Sequence, residues 1–212
     1  HSFRVAEYAA MIAEKMGWDA TEISNLKDAV YMYDVGKIGI PDAILNKPTS
    51  LTEEEYELIK AHTVIGADIL KNITIIDHVA EIAKYHHERY DGKGYPDGLK
   101  GEEIPIAAQV VSIADVYDAM TAARSYRAPL CPFEVIAEFE KDGLQKYKPK
   151  YILTFLENIA NAYQNNRVML SDGTSARIVL LNHRRLSKPL VQLDDGACID
   201  LEKSPLYIKA II

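Results

Sequence analysis

The sequence predicts a mainly α protein, a helical bundle followed by a small C-terminal β-meander. Three observations predict it. Apolar residues recur at helical spacing through residues 1–165, and capping boxes and first-turn prolines punctuate that stretch. After Asn166 the pattern changes to short β-rich runs split by Asp-Gly turns. The expected organisation is a helical unit over residues 1–165 and a β-rich appendage over residues 166–212. An appendage of that size is too small to be stable alone and is expected to pack on the helices.

The elements follow in order. Val5, Tyr8, Ala9, Ile12 and Met16 repeat at helical spacing until Gly17 stops the run. Asp19 and Glu22 frame a capping-box start for a second helix, whose buried stripe is Ile23, Leu26, Val30 and Tyr33. Gly36, Gly39 and Pro41 end it, and a loop is expected to Pro48. Thr52 with Glu55 is a second capping box. It opens a helix through Tyr56, Ile59 and Ile65 to Leu70, and the acidic run from Glu53 to Glu57 suits the positive end of its dipole. A fourth helix is expected from about Ile75 to His87. Residues 88–104 hold Gly92, Gly94, Pro96, Gly98 and Gly101 and are expected to be irregular. Helix resumes from Pro105 to about Ala123, and Pro132 and Pro149 suit the first turns of two more helices. The strand candidates are Val168–Leu170, Ala176–Leu181, Leu190–Leu193 and Tyr207–Ile212, with turns at Asp172-Gly173 and Asp195-Gly196.

Composition narrows the function. Hydrophobic residues make up 48% of the chain, enough for a substantial core. Lys and Arg number 24 against 31 Asp and Glu, a net charge of −7, which argues against a nucleic-acid polymer as partner because a polyanion needs a basic face. A local basic pocket for one phosphorylated ligand is compatible with that charge. Cys131 and Cys198 stand far apart in no metal-binding spacing and read as reduced thiols. No apolar run approaches the length of a membrane span and no signal peptide opens the chain. The chain begins at His1, without Met and inside a helical pattern, as a piece of something longer would.

The chemistry concentrates in His86-His87-Glu88-Arg89-Tyr90-Asp91-Gly92-Lys93-Gly94-Tyr95-Pro96. Imidazole is the commonest protein metal ligand, and this loop sets anion-binding groups beside two of them. Each other candidate is weak alone. His1 opens the first helix, Asp34 closes the second, and His62 lies in the third, four residues before Gly66. Asp115 sits in an apolar helix, where a carboxylate is costly unless it is paired or bound to metal. Asp115 and Asp118 could equally pair with Arg124 or Arg127. His78 and His183 read as surface residues. Taken jointly, the imidazoles and carboxylates are distributed one or two per helix, as in metal sites built inside helical bundles. Mixed nitrogen and oxygen ligation suits Fe, Mn, Zn or Ni, and a carboxylate such as Asp34 can bridge two ions.

The order of these motifs closely resembles the HD-GYP family. The resemblance rests on His1-x-x-Arg4-Val5, on Asp34-x-Gly36-Lys37-Ile38-Gly39-Ile40-Pro41-Asp42, on His62-x-x-x-Gly66, on the block from His86 to Gly101 and on the run from Ile113 to Met120. It spans nearly all of residues 1–165, and strand-rich tails follow some members. It implies an HD-superfamily helical bundle. It also implies a bacterial phosphodiesterase hydrolysing cyclic di-GMP to linear pGpG or GMP in second-messenger signalling. The implied cofactor is two or three metal ions, iron or manganese foremost, with zinc, nickel or magnesium as alternatives. The matching ligands are His1, Asp34, His62, His86, His87 and Asp115. Such a centre would activate water for in-line attack on phosphorus. Lys37 would stabilise charge developing on the phosphoryl oxygens, with Asp34 as its catalytic companion. Arg124 and Arg127 would bind phosphate, while Tyr95, Gly92 and Gly94 would line the cleft for the guanine and phosphate. Implied partners are cyclic di-GMP, an upstream sensor domain or protein partner, and a second copy of the chain in a homodimer. The implied location is cytoplasmic, including the cytoplasmic part of a membrane-anchored protein.

One position departs from the pattern. The His-Asp dyad that names the superfamily reads Tyr33-Asp34 here. Three outcomes follow: Tyr33 binds a ferric ion as phenolate, the site keeps fewer ions and weaker activity, or the centre is lost. The retained His62, His86, His87, Asp115 and loop favour a working hydrolase. The alternative is a catalytically impaired module that binds a cyclic dinucleotide or a protein partner without efficient turnover.

Overall fold

A computed structural model describes residues 1–72, 76, 78–123 and 128–212. Helix α1 (Ser2–Lys15) buries Val5, Ala9 and Ile12. Helix α2 (Ala20–Met32) starts from the Asp19 and Glu22 capping box read in the sequence. The stretch expected as a loop after it contains two short helical pieces: a 3₁₀ turn (Val35–Gly39) and α3 (Asp42–Leu45). Both are too short to carry an apolar periodicity, which is why the sequence pattern did not reveal them. Helix α4 (Glu53–Leu70) begins at the Thr52 and Glu55 capping box. Helix α5 (Val79–Tyr85) is shorter than expected; residues 75 and 77 of its expected start lie outside the described residues.

Helix α6 (Ile106–Thr121) is buried around nearly its whole circumference from Ala107 to Asp115, so it forms the centre of the bundle. Helix α7 (Pro132–Glu138) has proline in its first turn and runs through a π-helical segment (Phe139–Gly143) into α8 (Leu144–Lys146). Helix α9 (Pro149–Ala162) also opens on proline. Helix α1 packs on α2, α6 and α9, while α5 joins α4 to α2 and α6. An edge-to-face triad of Tyr8, Tyr117 and Phe155, with centroids 5.0–5.9 Å apart, ties α1, α6 and α9 together.

The C-terminal segment is a five-stranded antiparallel sheet of β1 (Arg167–Leu170), β2 (Ser175–Leu180), β3 (Leu190–Leu193), β4 (Cys198–Asp200) and β5 (Ile208–Ile211), ordered β4-β3-β2-β1-β5. Four strands form a meander, and β5 returns to the far side of β1, pairing Val168 with Ile211. Strand β4, three residues long, carries no alternation strong enough to read from sequence. Val168, Leu170, Ile178, Val191 and Ile208 are buried in one continuous apolar cluster with the helices, and β5 packs on α7.

Candidate metal centre

The sequence-predicted ligands arrive from five places in the fold. His1 caps α1, Asp34 stands between α2 and the 3₁₀ turn, and His62 lies in the middle of α4. His86 caps α5, with His87 next to it, and Asp115 lies in α6. Helix packing brings them together. His62 and His86 are buried, and their Nε2 atoms are 3.3 Å apart. Asp34 Oδ1 lies 3.5 Å from His62 Nε2 and 3.8 Å from His86 Nε2. The ligand nitrogens of His62, His86 and His87 all lie within 4.8 Å of one another.

Backbone carbonyls set the imidazole orientations. His62 Nδ1 donates to the Ile59 carbonyl at 2.6 Å, and His86 Nδ1 donates to the carbonyls of Ala83 at 2.9 Å and Ile82 at 3.1 Å. With those hydrogens committed, both Nε2 atoms present lone pairs toward each other and toward Asp34 Oδ1. That oxygen is buried and has no hydrogen-bond partner. Burial holds His62 and His86 below the usual imidazole pKa, and burial together with the neighbouring His86 holds His87 well below it. The lone pairs of His62 and His86 thus meet an unpartnered carboxylate oxygen, with the His87 imidazole beside them. Such a set of acceptors fits a metal ion, and its nitrogen and oxygen composition suits a first-row transition metal.

The other half of the site is hydrogen-bonded through. The buried Tyr33 hydroxyl donates to Asp115 Oδ1 at 2.7 Å and lies 2.9 Å from His1 Nε2. His1 Nδ1 is 2.8 Å from Asp118 Oδ2, and Asp118 also accepts from Arg4 Nε at 2.5 Å and from an Arg4 terminal nitrogen at 3.1 Å. The bond to Asp115 raises the His1 pKa against the opposing effect of burial, and Asp118 adds to the rise. Burial would raise the Asp115 carboxyl, yet the bonds from His1, whose Nε2 lies 3.1 Å from Asp115 Oδ1, and from Tyr33 hold it well below the usual range. Burial, then the charges of Asp115 and Asp34, pushes the Tyr33 phenol far above its ordinary value, so it stays protonated. Lys37 donates to Asp34 Oδ2, which is also 4.0 Å from His1 Nε2. Asp34 therefore stands between the two halves.

The glycine-rich loop folds back over the histidines. Tyr95 N donates to the His87 carbonyl at 3.2 Å, and the Tyr95 ring lies 4.8 Å from the His87 ring at an interplanar angle of 31°. Glu88, buried, accepts from Asp97 N and Gly98 N at 2.8 and 2.9 Å and so shapes the loop from within. Gly92 turns the chain at positive φ. Gly94 is pressed against the backbone of Glu88, where a Cβ would lie 2.5 Å from its Cα. Arg124 and Arg127 lie outside the described residues. Sequence reasoning missed Asp118 as the partner of His1 and Arg4, and it missed the carbonyls that orient His62 and His86. The spacing signalled the first: Asp118 lies one helical turn after Asp115, and Arg4 one turn after His1.

The fold and site together define a helical bundle with a histidine cluster among its helices that could hold a metal ion. The chain belongs to the HD domain family, and within it to the HD-GYP group: the HD domain family model matches residues 1–151. It is 42% identical over 172 residues to a cyclic di-GMP phosphodiesterase of Thermotoga maritima, covering 79% of this chain and 47% of that protein. It is 37% identical over 160 residues to a 3′3′-cGAMP-specific phosphodiesterase of Vibrio cholerae, covering 74% of this chain and 31% of that protein. Among solved structures, an HDG"Y"P protein from Bdellovibrio bacteriovorus superposes with a TM-score of 0.63 at 23% identity, over 75% of this chain and 51% of that one; it supports the fold. The chain thus spans less than half the length of these curated relatives.

Proposed function

We propose that residues 1–165 form the hydrolase unit of a metal-dependent phosphodiesterase that opens cyclic di-GMP to linear pGpG or onward to GMP, with residues 166–212 as an appendage packed on it. The observation that carries this reading is the convergence of the His62, His86 and His87 ligand nitrogens, with the unpartnered Asp34 Oδ1 beside His62 and His86. The similarity to the T. maritima enzyme supports the substrate, and that to the V. cholerae enzyme makes cyclic GMP-AMP the alternative one. Both similarities favour a working hydrolase over the impaired module.

Iron or manganese is the proposed metal, with zinc, nickel or magnesium as alternatives. When bound, the metal supplies Lewis acidity toward a phosphoryl oxygen and an activated water for in-line displacement. The protein does the rest. Ile59, Ile82 and Ala83 hold the imidazoles in the ligating tautomer. Lys37, partly exposed beside Asp34, places positive charge where phosphoryl oxygens gain negative charge. Tyr95 and the backbone at Gly92 and Gly94 line the side over His87, where a base and its phosphate would lie. Arg124 and Arg127 are assigned to phosphate on the family pattern. The proposal places the protein in the cytoplasm, which the two unpaired cysteines support. It includes control by an upstream sensor domain or protein partner, or by homodimerisation, in keeping with the greater length of the relatives. Among the described residues no helix is long and apolar enough to cross a membrane.

The test is turnover of cyclic di-GMP by the chain reconstituted anaerobically with Fe(II) or Mn(II), with chromatography of the products. Metal-dependent formation of pGpG or GMP is expected. Binding of cyclic di-GMP by metal-loaded protein without product would replace this reading with the impaired module.

A further inference from the structure

The two halves of the site differ in whether protein has already satisfied their ligand atoms. On the His62 side, the ligand nitrogens of His62, His86 and His87 converge, and Asp34 Oδ1, buried without a hydrogen-bond partner, lies 3.5 Å from His62 Nε2 and 3.8 Å from His86 Nε2. On the His1 side, each polar side chain is engaged: Tyr33 with Asp115 and His1, His1 with Asp118, and Asp118 with Arg4. Tyr33 is also fixed from outside the network. Its side chain is fully buried, and its ring stands edge-on to the His86 ring with centroids 4.8 Å apart. Releasing Asp115 and His1 to a cation would require moving a core aromatic residue. Its hydroxyl hydrogen is already directed at a carboxylate oxygen, so it offers the site a donor where an imidazole would offer a lone pair.

We propose that this chain holds a single metal ion, at His62, His86, His87 and Asp34, and that the Tyr33 hydroxyl closes the other half of the site as a hydrogen-bonded network with His1 and Asp115. This rests on the metal-centre reading above and departs from the two or three ions that the family resemblance implies. The consequence for the reaction is a division of labour. One half carries the metal, while the other is a hydrogen-bonded wall that fixes Asp115 and orients His1.

The experiment is ion counting by elemental analysis on the full chain, reconstituted anaerobically with excess Fe(II) and desalted, for the wild type, Tyr33→Phe and Tyr33→His. One iron per chain is expected in the wild type and in Tyr33→Phe, and two in Tyr33→His, where an imidazole faces His1, Asp34 and Asp115. Two irons in the wild type would overturn the inference while leaving the metal-centre reading intact; none would overturn the metal-centre reading itself. One iron in Tyr33→His would overturn the role given to Tyr33. A measurement needing no variant runs alongside: the wild-type protein, loaded and oxidised to Fe(III), is expected to lack a visible phenolate-to-iron charge-transfer band. Its appearance would make Tyr33 a ligand and overturn the proposal.

Discussion

A Cβ on Gly36 would lie 1.9 Å from the carbonyl oxygen of His62. The turn that carries Asp34 and the helix that carries His62 thus meet backbone to backbone, with Gly66 on the facing turn of α4 a further part of the contact. No side chain fits there, so the Asp34-to-His62 distance depends on a glycine that touches neither ligand's functional group. Gly36→Ala must push the 3₁₀ turn away from α4. Overpacking of this kind costs about 1–3 kcal/mol or more. A lower Tm together with loss of bound metal is expected from thermal unfolding and elemental analysis, and an alanine variant that keeps both would refute the contact's role.

Lys37 bonds to Asp34 from the partly exposed edge of the site. If it stabilises charge developing on phosphorus, Lys37→Met should lower kcat by roughly 10²–10³-fold, the usual cost of losing one such group. Metal content should stay at the wild-type level. A variant that loses metal in proportion to activity would instead make Lys37 a support for Asp34.

Arg124 and Arg127 are assigned to substrate phosphate, not to metal. The double change Arg124→Ala with Arg127→Ala is expected to weaken cyclic di-GMP binding in calorimetric titration while iron per chain is unchanged. Metal loss in that protein would contradict the assignment.

The metal-free protein should be acid-sensitive well above the carboxylate range. Burial lowers the pKa of His62, His86 and His87 below the ordinary 6.5, so the unfolded chain binds protons there that the folded chain refuses. Their effect is to reduce stability as pH falls below 6.5. His1 acts in the opposite sense: its raised pKa gives stability that is full below 6.5 and lost as pH rises through its folded value. His87, held well below the ordinary value, carries the larger effect, so the Tm of chelator-treated protein should be lower at pH 5 than at pH 7. His87→Gln should flatten that slope. A Tm that rises on acidification would mean the imidazoles are not held neutral.

Most of the helical frame was legible because its signals are local. The Asp19 and Thr52 capping boxes and the prolines at Pro132 and Pro149 mark element starts within a few residues of sequence. The segment after α2 was not legible: the 3₁₀ turn packs its Gly36 backbone on α4, a contact between distant segments, and α3 is only four residues long. The site behaves likewise. The metal-ligand candidates could be named from residue type and motif order, but their division into two unlike halves could not. Whether Tyr33 faces a metal or a carboxylate depends on where α6 places Asp115, 82 residues away in the chain. Asp118 shows the same limit, since its partners His1 and Arg4 lie at the other end of the helical stretch.

The central claim is that the ion held by the histidine cluster is the one that the reaction uses. It is tested most directly by measuring iron per chain and cyclic di-GMP turnover on the same anaerobic preparations of wild type and His86→Ala. The account predicts that His86→Ala, which keeps the Tyr33 network but loses a buried ligand, loses its iron and its turnover together. Iron-free His86→Ala that still hydrolyses cyclic di-GMP at the wild-type rate would contradict it.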